Sequence, residues 1–240
     1  MTGGTRADAV CDGGDLDCGS GLLLIIRKAM DPLPGGGLLE VRSRERSVAE
    51  DLPAWCRMVG HGIEGTAPGE GGSTSYFVRK GAADSGLDAD LERARNHSWT
   101  VRVRWKEGMQ ATAFARNHSI PVGQPASLDT ADPAPAAVEV LLSALGGCLA
   151  VGYQMRLSRQ GVAVRHLEVA LRARAGNLLV FLGAEDEGNP GLERIEGTVY
   201  VDADADGDGL RQAWDETVRR SPVAQTLLRG TPLAIEVKPT

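Results

Sequence analysis

The sequence predicts an α+β protein in two parts. An N-terminal two-layer βαβαββ sandwich spans residues 1–80, and a second α+β domain built on one long central helix spans residues 97–240. Three observations predict this. Strand and helix patterns follow the order β-α-β-α-β-β in the first eighty residues, as in a small two-layer sandwich. Residues 81–96, GAADSGLDADLERARN, are small and charged, so they read as a solvated tether or one short helical turn, and the domain boundary is placed there. From Pro133 to Gly161, apolar residues recur at Val138, Leu141, Leu142, Leu145, Leu149 and Tyr153. That is helical spacing over a length well above the usual ~11–12 residues.

In the first part, Arg6 to Val10 reads as a short strand. The glycine-rich turn DGGDLDCGSG carries Cys18 and leads into a helix from Gly19 to Met30. DPLPGGG ends that helix. Leu38 to Arg42 is a strand. Ser47 and Glu50 have the spacing of a capping box, opening a helix to about Gly60 with Leu52, Trp55, Cys56 and Val59 on one face. Ile63 to Thr66 and Ser75 to Arg79 complete the strands.

In the second part, Trp99 to Trp105 alternates with its valines on one face, and Gln110 to Arg116 returns as a second strand. Ile120 to Val122 is a third strand that Pro121 confines to an edge. Prolines 133 and 135 open the long helix and Gly161 closes it. Strands are expected at Leu167 to Ala173, Leu178 to Leu182, Glu196 to Val201 and Leu233 to Val237, and helices at Leu210 to Arg220 and from Ser221 to Leu228. Asp204 to Asp215 imitates a calcium loop, but Arg211 takes an apolar position and a strand precedes it, so an acidic helix cap is the expectation.

The chain has 240 residues, 42% hydrophobic, enough to bury a real core. Its net charge of −6 supplies no broad basic face, which argues against a nucleic-acid partner. The longest uninterrupted apolar run, Leu22 to Ile26, is five residues, so no membrane span is expected. The first ten residues lack a charged-then-apolar signal, which suggests a cytoplasmic protein. There Cys11, Cys18, Cys56 and Cys148 read as free thiols. Neither they nor His61, His97, His118 and His166 have metal-site spacing, and no phosphate loop is present, so no cofactor is expected.

Two cysteines are candidates for chemistry. Cys18 lies where a helix N-terminus favours a thiolate. Cys148 shares the apolar stripe of the long helix, beside Gly146 and Gly147, which cost about 1 kcal/mol each relative to alanine and leave room for a close approach. A free cysteine is more often simply buried core filling, which is the expected role of Cys56.

Residues 8–80 resemble the TusA (SirA-like) sulfur-carrier family. The resemblance rests on the element order, Asp15-Leu16-Asp17-Cys18, Gly37-Leu38-Leu39-Glu40-Val41, Asp51-Leu52-Pro53-Ala54-Trp55, Gly60-His61 and Phe77-Val78-Arg79-Lys80. It implies that Cys18 carries a persulfide between proteins. The family's Cys-Pro-x-Pro motif is altered: Gly19 and Gly21 replace its prolines, which implies a looser turn.

Trp99 to Val237 resembles the OsmC/Ohr family, nearer its OsmC-like branch. Val138 to Cys148 (VEVLLSALGGC) and Ser221-Pro222-Val223-Ala224 carry that resemblance. It implies an intertwined homodimer with paired central helices. In the peroxidase members the helix cysteine attacks an organic hydroperoxide, a glutamate and an arginine hold it ionised, and a second cysteine resolves the product. Here the resolving position is Ser221, the arginine position is Lys106, and the glutamate position is Val138, with Glu139 one residue on. Arg116 and His118, at the end of the second strand, could enter such a site.

Three functions follow. One is sulfur handling, with Cys18 as persulfide carrier, Cys148 as redox thiol, and a sulfur donor or acceptor protein as partner. Another is one-cysteine peroxidase chemistry on a small hydroperoxide, recycled by a small thiol. The last is a non-catalytic binding dimer.

Overall fold

In a computed structural model, residues 6–81, 87–124 and 131–237 are described. The chain divides into two compact units, Met1–Ser98 with Met155–Ala163, and Trp99–Gln154 with Val164–Thr240.

The first unit holds a four-stranded sheet of β1 (Ala9–Asp12), β2 (Leu38–Ser43), β3 (Gly62–Pro68) and β4 (Thr74–Arg79), in the order β1-β2-β4-β3. β1 runs parallel to β2, and both β2 and β3 run antiparallel to β4. Helices α1 (Leu23–Met30) and α2 (Val48–Met58) supply Ile26, Met30, Leu52, Trp55 and Cys56, which close with Leu39, Val41 and Val78 into one buried core. This is the βαβαββ order the sequence predicts.

Two details differ. The Ser47–Glu50 capping box does not form: Ser47 is already helical (φ −63°, ψ −23°), its hydroxyl caps nothing, and its N–H donates to the Glu45 carboxylate instead. Between residues 81 and 96 the described part is a nine-residue helix, α3 (Leu87–Arg95), rather than a single turn. Its buried Leu87 and the Arg27–Asp90 ion pair fix it, and acidic residues at its start with arginines at its end suit the helix dipole.

The second unit contains a three-stranded sheet, β5 (Arg102–Glu107), β6 (Gln110–Ala115) and β7 (His118–Val122), in that order, with the Pro121 strand at an edge. Helix α4 (Ala137–Arg159) follows, then a separate two-stranded ladder of β8 (Val164–Ala175) and β9 (Leu192–Ala203). Leu178–Phe181 is a short helix, α5, not a strand, because the Asn177 side chain caps it by accepting from the Leu179 N–H at 3.0 Å. Helices α6 (Gly207–Arg220) and α7 (Pro222–Arg229) complete the elements. The acidic turn before α6 acts as a cap: Asp206 accepts from the Gly209 N–H at 2.7 Å, while Asp204 pairs with Arg165 and Asp208 with Arg211. Leu233 to Val237 is not a strand. Leu233, Ile235 and Val237 keep strand alternation but find no ladder, and stand 85–91% exposed.

That exposure is general in this unit. On β5–β7, Val103, Trp105, Ala111, Ala113, Ile120 and Val122 share one face by register. Val103 and Trp105 are 61% and 73% exposed. Among the described residues α4 alone is long and apolar enough to cross a bilayer, a test that a core helix passes equally, so the expectation of no membrane span is not overturned. Its charged residues, Glu139, Arg156 and Arg159, lie at its ends, which leaves the middle apolar.

Candidate thiol sites

Cys148 sits halfway along α4, on the side facing α6 and α7. Leu145 and Leu149 flank it and are buried with Ala224, against Leu171, Ile195, Trp214, Val218 and Val223. One turn on, Tyr153 donates its hydroxyl to the Leu210 carbonyl at 2.8 Å and stacks edge-on to Trp214. A Cβ at Gly152 would touch the Thr217 methyl at 3.4 Å, so the glycine admits α6 closely.

The sulfur is half-buried, and Cys148 Sγ lies 3.1 Å from Ser221 Oγ. Ser221 is buried and caps α7, its oxygen accepting from the Ala224 N–H at 3.2 Å. That N–H occupies one lone pair and leaves the hydroxyl proton available to sulfur. The residue pattern Ser221-Pro222, with proline at the first helical position, is what places this hydroxyl.

Cys18 lies in a separate turn, Cys18–Leu22, and α1 begins only at Leu23. Gly21 separates the two with φ 106°, a left-handed value that a proline ring cannot adopt. The turn is not loose. Asp17 accepts from the Ser20 N–H at 2.5 Å, and Ser20 Oγ accepts from the Asp17 N–H at 3.0 Å. This reciprocal cap replaces the rigidity that prolines would supply; its sequence signal is the Asp-x-x-Ser spacing.

The expected thiolate at Cys18 is corrected. Burial, then the carboxylates of Asp51 and Asp17, push its thiol up to about 11. The kink at Gly21 removes Cys18 from the start of α1, so the helix dipole does not offset those terms. Burial also pushes Cys11 up to about 11 and Cys56 up to about 12.

The remaining expected site residues lie elsewhere. Glu139 accepts from the Ala136 N–H at 2.6 Å and so caps α4. Lys106 is exposed beside Glu107, 4.0 Å away. Arg116 occupies the β6–β7 turn at φ 56°, also exposed. Within the described chain only Ser221 makes a polar side-chain contact with Cys148. No group of three or more His, Cys, Asp or Glu residues is arranged to hold a metal among the described residues.

Residues 129–236 match the family model described as OsmC-like protein. Over the first ~75 residues the relatives are sulfur carriers. The sulfur carrier protein TusA of Pseudomonas savastanoi pv. phaseolicola is 34% identical over 73 residues, 30% of this chain and 84% of its own length. The chain is a fusion of a TusA-family segment and an OsmC-like segment.

Among solved structures, an OsmC-like protein from Mycoplasma pneumoniae is 15% identical, over 56% of this chain and 90% of its own, at a TM-score of 0.49. The organic hydroperoxide resistance protein OhrB of Bacillus subtilis is 12% identical, over 56% and 92%, at 0.39. Neither likeness is close enough to carry an argument about chemistry. In the TusA-family segment Cys18 lies within the Asp17–Ser20 cap. In the OsmC-like segment Cys148 lies against the Ser221 hydroxyl. The two families together place the protein among sulfur-handling and peroxide-related redox proteins in general.

Proposed function

We propose that this is a cytoplasmic, homodimeric sulfur-handling protein in which Cys18 carries sulfane sulfur and Cys148 is a redox thiol. The observation that carries the reading is Cys18 itself. In a TusA-family segment it is the partly exposed thiol, while Cys11 and Cys56 are buried. Loading is an exchange: Cys18–SH and a donor R–S–SH give Cys18–S–SH and R–SH, with no outside oxidant. A thiol raised to about 11 is almost wholly protonated at neutral pH, so it resists stray oxidation and alkylation. Loading then depends on a donor protein that removes the proton. Incubation with a persulfide donor, then cyanolysis, is expected to release about one thiocyanate per chain and none from Cys18→Ser. Equal release from both sinks the reading.

The Cys148–Ser221 contact supports a second reading, a one-cysteine peroxidase. A hydroperoxide ROOH would convert Cys148–SH to Cys148–SOH and ROH. Two small thiols would then return the cysteine to Cys148–SH, leaving their disulfide and water. The Ser221 hydroxyl stands where it can hydrogen-bond the sulfenic acid.

The homodimer is supported by what the OsmC-like unit leaves uncovered. A two-stranded ladder such as β8–β9 is marginal alone, and large exposed apolar faces mark association sites. Ala144, Gly147 and Val151 form an exposed stripe on α4. A Cβ at Gly147 meets nothing within 4 Å of its own chain. In an isolated chain Gly147→Ala should therefore stabilise α4 by about 1 kcal/mol. In a dimer whose central helices meet there it should weaken association. Light scattering across a dilution series is expected to show Gly147→Ala dissociating at higher concentration than the parent. An unchanged or tighter dimer contradicts helix pairing at this position.

A further inference from the structure

The face of β5–β6 opposite the apolar one is cationic. Arg102 and Arg104 alternate along β5 on this side, with Phe114 directly across from Arg102 and Thr112 across from Arg104. The Arg104 guanidinium lies over the Phe114 ring, 5.9 Å from its centre. Arg116 follows Phe114 by two residues, in the turn to β7. Thr100, Arg102, Arg104, Phe114 and Arg116 line a groove of about 520 Å³.

The arginines differ from most others in the same unit. Arg165, Arg172, Arg174, Arg194, Arg211, Arg219 and Arg220 each pair with a carboxylate. Among the described residues, Arg102, Arg104 and Arg116 pair with none, in a chain of net charge −6. Nothing in the fold requires three guanidinium groups around an exposed aromatic ring. Guanidinium forks match phosphate oxygens two at a time, and an aromatic face stacks on a planar body. The groove falls within the ~300–1,000 Å³ of small-molecule sites, which favours a small ligand over a polymer.

We propose that this face binds a small planar phosphomonoester, its phosphate between Arg102, Arg104 and Arg116 and its ring system on Phe114. Isothermal titration of the full chain at low ionic strength tests it, with AMP, adenosine and inorganic phosphate as probes. AMP is expected to bind saturably and more tightly than phosphate, and adenosine not measurably. Arg104→Gln is expected to weaken AMP binding about tenfold or more, and Phe114→Leu by a few-fold. Arg172→Gln, on the other sheet, should leave it unchanged. Absence of saturable AMP binding, equal binding of adenosine, or an Arg104→Gln variant that binds like the parent overturns the proposal. Tighter binding of a short single-stranded oligonucleotide than of AMP also overturns it, in favour of a polymer.

Discussion

Alkylation of Cys18 by iodoacetamide should quicken about tenfold per pH unit from pH 7 to 10 and level off only near 11. The thiolate is the nucleophile, and a group that titrates near 11 gains thiolate in proportion to hydroxide throughout that range. An ordinary cysteine, titrating near 8.5, would already flatten by about pH 9.5. The cause is a partly buried sulfur with two carboxylates near it, so the remedy is specific. Asp51→Asn removes the larger charge and should move the profile toward lower pH, raising the rate at pH 7 several-fold. Asp17→Asn is a poorer probe, because Asp17 also holds the turn through Ser20. Peptide-resolved mass spectrometry separates Cys18 from the other thiols. A Cys18 profile that flattens below pH 9, or one indifferent to Asp51→Asn, contradicts the site as described.

The second large effect is expected at Ser221. Its oxygen lies 3.1 Å from the Cys148 sulfur, and a disulfide needs about 2.05 Å, so a shift of roughly 1 Å suffices. Ser221→Cys should convert the hydroxyl site into a resolving site. After hydroperoxide treatment the variant should lose 2 Da and both thiols, through attack of the introduced thiol on Cys148–SOH with loss of water. The parent chain should instead gain one oxygen at Cys148. Ser221→Ala makes a useful companion: it removes the α7 cap and should cost about 1 kcal/mol of stability without creating a resolving group. If Ser221→Cys is oxidised only as the parent is, the two atoms are not neighbours in solution.

Much of this was legible in the sequence, for identifiable reasons. The span of α4 follows from uninterrupted helical spacing between proline and glycine signals. The edge position of β7 follows from Pro121. The errors lie where local pattern competes with partners far along the chain. Ser47 offered a capping pattern, but Glu45 satisfied its N–H first. Leu178 to Leu182 looked like a strand, yet Asn177 capped a helix there. Leu233 to Val237 has strand alternation with no strand to join among the described residues. The state of Cys18 was misread because Asp51, on α2, is brought near only by folding, and because the turn separates the cysteine from α1. The Cys148–Ser221 contact joins positions that each stood out in the sequence, but their distance required the packing of α4 on α7.

The central claim is that Cys18 takes up sulfane sulfur. Its most direct test is intact-protein mass spectrometry after separate exposure to a persulfide donor and to an organic hydroperoxide, on the parent chain, Cys18→Ser and Cys148→Ser. The account predicts one added sulfur from the persulfide donor, lost in Cys18→Ser and kept in Cys148→Ser. Oxidation confined to Cys148, with no sulfur loading of the parent chain, would contradict it.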